Sequence, residues 1–165
     1  MDEVRIPWGG DELSFSVPED WRLVKVAEPA HTLSSHRWQV RMAESLSHPV
    51  AGPSLHELLG RLGDGRLVFV IEDLTRNSPL SAILEIIMEE VRHAGVRDDR
   101  MEFVVACGMH PHADEGMYRE RLCPGTEGIP LRVNPWHRHR QYANIGKIGR
   151  VDVQVDRGIT EADVR

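Results

Sequence analysis

The sequence predicts an α/β fold, with a mostly parallel central sheet, flanking helices and an antiparallel β-hairpin at the N-terminal side. Three observations predict it. Leu67-Val-Phe-Val-Ile71 is an unbroken apolar run rich in β-branched residues, the composition of a strand covered on both faces. After it, Leu80, Ile83, Leu84, Ile87, Met88 and Val91 recur at helical spacing. Asn77 or Ser78 suits the N-cap of that helix, Pro79 its first position and Gly95 its C-terminal cap. Met101-Glu-Phe-Val-Val-Ala106 then repeats the apolar run. Strand, helix and strand of these lengths make a βαβ unit, with parallel strands and a right-handed crossover.

The remaining elements follow in order. Val4-Arg-Ile-Pro7 and Leu13-Ser-Phe-Ser-Val17 alternate across Gly9-Gly10-Asp11 as a hairpin, and Pro7 places the first strand at an edge. Leu23-Val-Lys-Val26 reads as a third short strand, giving a small sheet packed on the main domain. Trp38, Met42 and Leu46 share a helical face, interrupted by Pro49 and Pro53. Ser54 and Glu57 have capping-box spacing for a helix from Leu55 to Arg61, and Gly63-Asp-Gly65 turns the chain into the first apolar strand. A helix is expected from Ala113 to about Leu122, stopped by Pro124-Gly125, then a short strand at Leu131-Arg-Val133. Gly146 suggests a turn, Val151, Val153 and Val155 a half-buried strand, and Thr160 to Val164 the beginning of a helix or turn.

At 165 residues the chain suits one domain, residues 1–165, able to bury roughly 68–70% of its unfolded surface. Its 41% apolar and 28% charged content is ordinary for a globular protein, and a net charge of −6 argues against a nucleic-acid partner. No apolar run approaches the ~20 residues that span a bilayer, and the acidic N-terminus lacks a signal-peptide core. Cys107 and Cys123 are too few for a disulfide framework and read as reduced thiols of a cytoplasmic protein.

Parallel strands present their carboxyl ends on one edge of a sheet, where open α/β folds bind ligands. Asp73, Thr75, Arg76 and His110 should therefore converge there. Arg76 offers a planar fork for a carboxylate or phosphate beside a helix N-terminus, although the same spacing suits a surface ion pair with Asp73. His110 is suited to general acid–base work, or else is a loop histidine bonded to backbone. Cys107 reads as a small core residue before a catalytic thiol. His110-Pro-His112 and His137-Arg-His139 suggest a metal, but no carboxylate or cysteine at ligand spacing supports either pair, so no metal ligand is assigned. Trp136 among His137, Arg138, His139 and Arg140 reads as a solvated or interdomain segment.

Asp73-Leu-Thr75-Arg76 after an apolar strand, with Ala106-Cys-Gly108-Met-His110 one βαβ unit later, resembles the N-terminal domain of lactate racemase and its homologues, the nickel-pincer-dependent 2-hydroxyacid racemases and epimerases. The resemblance extends through Pro53-Ser-Leu55-His-Glu57, Ala94-Gly95-Val96, the stretch from Gly146 to Val153 and Ile159-Thr-Glu-Ala-Asp163. It implies hydride transfer at C2 of a small 2-hydroxyacid to a nickel-pincer nucleotide, with two histidines alternating as acid and base. His110 matches one of them, and Arg76 matches a residue contacting substrate or cofactor, with Asp73 beside it. Thr75 and Gly108 belong to the same two motifs and are expected at the substrate or cofactor. The second histidine, the cofactor-tethering lysine and the nickel-binding histidine would lie in a C-terminal partner domain of the same protein, outside residues 1–165. These residues alone would then be inactive and hold no cofactor. Asn77 stands where the family usually has proline, and Pro111-His112 where it has arginine, both beside the expected site. An apolar patch uncovered by an absent partner domain would favour a homo-oligomer. The other function compatible with this rim is a stand-alone, non-catalytic module binding an anionic small molecule or a protein.

Overall fold

The computed structural model describes residues 3–8, 11–27, 35–134, 136–137 and 139–165, and divides into two compact units, 1–34 and 35–165. In the first, β1 (Glu3–Trp8) and β2 (Asp11–Ser16) pair antiparallel, with Val4 opposite Phe15 and Pro7 opposite Glu12. The expected hairpin is present, while Gly9 and Gly10 of its turn lie outside the described residues. Leu23 to Val26 is not a strand: alternation alone is not enough without a partner, and no described strand pairs with it.

The second unit is built on a three-stranded parallel sheet in the order β3 (Leu67–Ile71), β4 (Met101–Val105), β5 (Leu131–Val133). Leu67 pairs with Met101 and Ile71 with Val105, so the two apolar runs lie level along their whole length. Four helices accompany the sheet: α1 (Ser35–Ser47), α2 (Leu55–Leu62), α3 (Leu80–His93) and α4 (Glu115–Arg119). Alternate residues of β3 and β4, including Phe69 and Phe103, pack with Leu84, Met88 and Val91 of α3 and with Tyr118 of α4 in the main core. Val68 and Val104 face the other way, against Ala162 and Ile159. That second layer stops short of Val70, which is 48% exposed, so β3 is covered on both faces only in its first half.

Local chemistry explains the helix ends. Ser54 and Glu57 form the expected capping box on α2, each satisfying a backbone N–H of the other. At the end of α3, Gly95 takes φ 73°, and the amides of Gly95 and Val96 donate to the carbonyls of Arg92 and Val91. This is the Schellman arrangement, and Val96 closes it by burying against the core. The start of α3 differs from expectation. Pro79 is the N-cap rather than the first helical residue, and Ser78 gives its hydroxyl to Glu72 instead of capping.

Two C-terminal corrections follow. Gly146 is not in a turn but within β6 (Tyr142–Ile148), at a register shift against β7 (Val151–Asp156), and the turn falls at Gly149. Of the helix or turn expected to begin at Thr160, the turn is found, at Glu161; the helix lies before it, as α5 (Arg157–Thr160) capped by the Asp156 carboxylate. Asp156 also receives both forks of Arg132, at 2.6 and 2.7 Å, and Arg132 reaches Glu102 of β4 at 2.7 Å. This ties the β6–β7 hairpin to the sheet. Burial pushes the Asp156 carboxyl up, but the Arg132 guanidinium together with the Ile159 and Gly158 amides more than offsets it, and the carboxyl lies below its ordinary value. Similarly α4 is shorter than expected, because its last amides turn to i−3 carbonyls at Arg121 and Leu122. No helix among the described residues is long and apolar enough to cross a membrane.

Phe103 is fully buried and stacked on Phe69 at 4.9 Å, so Phe103→Ala is expected to cost about 3–5 kcal/mol, whereas Ser54→Ala should cost only about 1 kcal/mol. Urea unfolding of the two variants checks this ranking.

Candidate active site at the carboxyl ends of the sheet

Level pairing of β3 and β4 brings the two following loops side by side. The first loop is stabilised by its own aspartate. Asp73 Oδ1 accepts the Thr75 amide at 3.0 Å and the Thr75 hydroxyl at 2.6 Å, and the Arg76 amide donates to the Asp73 carbonyl. Such short-range bonds are what Asp and Thr offer at turns. In the second loop Gly108 takes φ 55° and the His110 amide closes a turn onto the Cys107 carbonyl at 3.0 Å. Glycine makes that positive φ free of strain.

The two loops meet through their side chains. His110 Nδ1 lies 2.5 Å from Asp73 Oδ2, with Asp73 only 5% exposed and the imidazole 52% exposed. The Thr75 hydroxyl first, and then His110, hold the Asp73 carboxyl down at about 2 against the opposition of burial. An ionised carboxylate can only accept, so Nδ1 carries the proton of this bond, and among the described residues the imidazole's other nitrogen, Nε2, makes no hydrogen bond. A cleft of about 350 Å³ opens beside the pair, lined among others by Arg76, Gly108 and His110. Arg76 is exposed and, among the described residues, its guanidinium makes no hydrogen bond or ion pair. Asp73 and Arg76 therefore do not form the mutual surface pair their spacing allowed.

The structure thus places Asp73, Thr75, Arg76, Gly108 and His110 together. His112 and His137 approach with ring centroids 5.6 Å apart, the His139 side chain and Arg138 lie outside the described residues, and no group of three ligating side chains occurs among those described. Cys107 is 2% exposed and packs in the core, its sulfur 3.1 Å from the Tyr118 hydroxyl. Burial pushes the Tyr118 phenol up, and its bond to Cys107 adds to the effect.

Sequence reasoning missed Arg121. Its guanidinium donates to the Asp73 carbonyl at 2.9 Å, to Glu72 at 2.7 Å and to the Ser78 carbonyl at 3.3 Å, spanning the loop from one end to the other. The Ser78 hydroxyl first, and then Arg121, keep the Glu72 carboxyl below its ordinary value. No local pattern marks an arginine 48 positions from its partner. The only hint is Glu72 itself, an acid directly after a buried strand.

A buried carboxylate behind an imidazole and an exposed guanidinium thus line one cleft at the strand ends. Residues 8–165 match the lactate racemase N-terminal domain family, and the chain belongs to that family. Among solved structures it is similar to the lactate racemase apoprotein from Thermoanaerobacterium thermosaccharolyticum, with a TM-score of 0.74 at 18% identity. The likeness covers 98% of this chain and 37% of that one, so the chain spans little more than a third of that racemase's length. No curated protein is a significant match.

Because the folded Asp73 carboxyl sits at about 2 and its ordinary value is 3.8, the stability it contributes is complete above about pH 4 and is lost as pH falls toward 2. Thr75→Val removes the largest cause of that depression. Carbon-detected NMR titration should show the Asp73 midpoint moving from about 2 toward 3.8 in this variant.

Proposed function

We propose that residues 1–165 form a single lactate-racemase-like N-terminal domain, the substrate-facing half of a 2-hydroxyacid racemase or epimerase. The carrying observation is the Asp73–His110 pair, which holds an imidazole at the cleft with one nitrogen engaged and the other open. A 2-hydroxyacid needs two things from such a site: a cation for its carboxylate and a base for its hydroxyl. In this reading Arg76 binds the carboxylate through its planar fork, and His110 Nε2 takes the hydroxyl proton. Asp73 fixes the ring and balances the charge of the imidazolium formed. Thr75 keeps Asp73 ionised, and Gly108 lets the backbone bend close to the substrate.

The nickel-pincer group of the family, when bound, supplies the acceptor for the hydride at C2. This cleft fits the substrate side of that chemistry and not the cofactor's attachment. The chain's two lysines are Lys25 and Lys147, neither of which lines the cleft, and Lys147 pairs with Asp152 on the β6–β7 hairpin. The tether and the metal ligands therefore belong, on this proposal, to a C-terminal domain of the same protein, which is the partner this rim faces.

In the complete, cofactor-loaded protein, His110→Ala should lower kcat by ~10²–10⁴-fold, as loss of a general acid–base does. Arg76→Ala should act mainly on KM for the carboxylate substrate. Steady-state kinetics separates the two roles, and unchanged turnover in His110→Ala would remove His110 from proton transfer.

A further inference from the structure

Helix α4 and the turn that follows it send one side chain to each of the two loops that form the cleft. Tyr118 serves the loop that carries His110. Its hydroxyl lies 3.1 Å from the Cys107 sulfur, before His110 in the chain, and accepts the Ala113 amide at 3.4 Å, after it. A phenol has one proton and two lone pairs, so a single hydroxyl can hold both ends of the loop. The Tyr118 ring is buried in the main core with residues of β3, β4 and α3, so it is not free to follow the loop. The backbone between Ala113 and Tyr118 is fixed as well, because the Asp114 carboxylate caps α4 by accepting the Gly116 amide at 2.9 Å.

Arg121 serves the other loop. Its guanidinium meets Glu72 and the Asp73 carbonyl at one end and the Ser78 carbonyl at the other. The planar fork keeps its donors in a fixed relation, so the groups it meets are held at a fixed spacing. Tyr118 and Arg121 are themselves one turn apart, the Arg121 amide donating to the Tyr118 carbonyl at 3.1 Å. Two loops that leave different strands are thus fastened to one turn of the chain.

That fastening meets a need that strand register alone leaves open. Level pairing fixes where β3 and β4 end, at Ile71 and Val105, but Asp73 and His110 lie further along, in the loops. Their mutual contact involves an imidazole that is half exposed, where water competes for the bond. Neither Tyr118 nor Arg121 lines the cleft, so neither is placed to touch a molecule bound there. Burial pushes the Tyr118 phenol up, while the Ser78 hydroxyl and then Arg121 hold the Glu72 carboxyl down. Both fastenings therefore keep their protonation across the neutral range.

We infer that Tyr118 and Arg121 are positioning residues for the proton-transfer pair: acting through the two loops, they hold the His110 imidazole against Asp73 with its proton on Nδ1. The inference rests on the reading of His110 as the acid–base group. Preorganisation of this kind matters because a misplacement of about 1 Å can cost ~10²-fold in rate.

Two conservative variants of the complete protein test it. Tyr118→Phe keeps the buried ring and removes only its oxygen, and Arg121→Lys keeps the charge and loses the fork. Long-range nitrogen-15 NMR of the His110 ring, at mildly alkaline pH, reads which nitrogen carries the proton. The parent protein should show the Nδ1–H form, and each variant should admit the Nε2–H form as the contact with Asp73 loosens. With the cofactor loaded, kcat should fall by up to ~10²-fold in each variant while KM changes little. A purely structural role would lower the melting temperature and leave the tautomer and kcat of the folded protein unchanged, and that result overturns the inference. So does an Nε2–H parent, or the parent tautomer persisting in Tyr118→Phe, the variant that decides the matter if Arg121→Lys fails to fold. The tautomer is read without turnover. A parent protein that racemises nothing removes the proposed function, while loss of Nδ1–H in the variants still upholds the positioning role.

Discussion

The level, parallel pairing of β3 with β4 is the constraint on which the site depends. Leu67 opposite Met101 sets Ile71 opposite Val105, and only then do the loops that follow leave the sheet together. A slip of one residue would turn the whole face of β3 away from α3 and carry Asp73 away from His110. The register is therefore enforced by the core, where Phe69 stacks on Phe103, and read out at the rim as a 2.5 Å contact. Packing and chemistry are two ends of one strand pair.

At the rim the governing cost is desolvation. A carboxylate as buried as Asp73 is tolerated only when its lone pairs are used. Thr75 supplies two donors from its own loop, His110 a third from the neighbouring one, and Arg121 secures the adjoining carbonyl and Glu72. Among the described residues no buried side-chain polar atom lacks a partner. Arg76 differs in its side chain: its amide donates to the Asp73 carbonyl, but among the described residues its exposed guanidinium bonds to none of the cluster.

How much of this was legible depends on range. The apolar runs of β3 and β4, the capping box at Ser54 and the glycine at the end of α3 are local patterns, and each appears where the sequence implied. Asp73, Thr75, Arg76 and His110 could be brought together because βαβ connectivity is itself nearly local. What failed turned on a partner that the local pattern does not name, near or far. Alternation at Leu23 to Val26 has no described strand to pair with, while Tyr142 to Ile148 is a strand despite Gly146 because β7 lies beside it. Pro79 lost its expected place because Ser78 was drawn to Glu72, and Arg121 reached across the fold without any local signature. The half-exposed second face of β3 likewise reflects tertiary contacts that a run of valines and isoleucines does not encode.

The proposed reading, a domain that handles a 2-hydroxyacid opposite a cofactor held elsewhere, draws on family membership, the converging rim and the uncommitted guanidinium. The most direct measurement is stereochemical. The complete protein, loaded with the nickel-pincer cofactor, is incubated with single enantiomers of lactate and other small 2-hydroxyacids, and the product is resolved by chiral chromatography. Appearance of the opposite configuration at C2 from at least one substrate is the predicted result. Retention of every starting enantiomer by protein shown to contain nickel would contradict the account and leave the rim as a binding site for an anion.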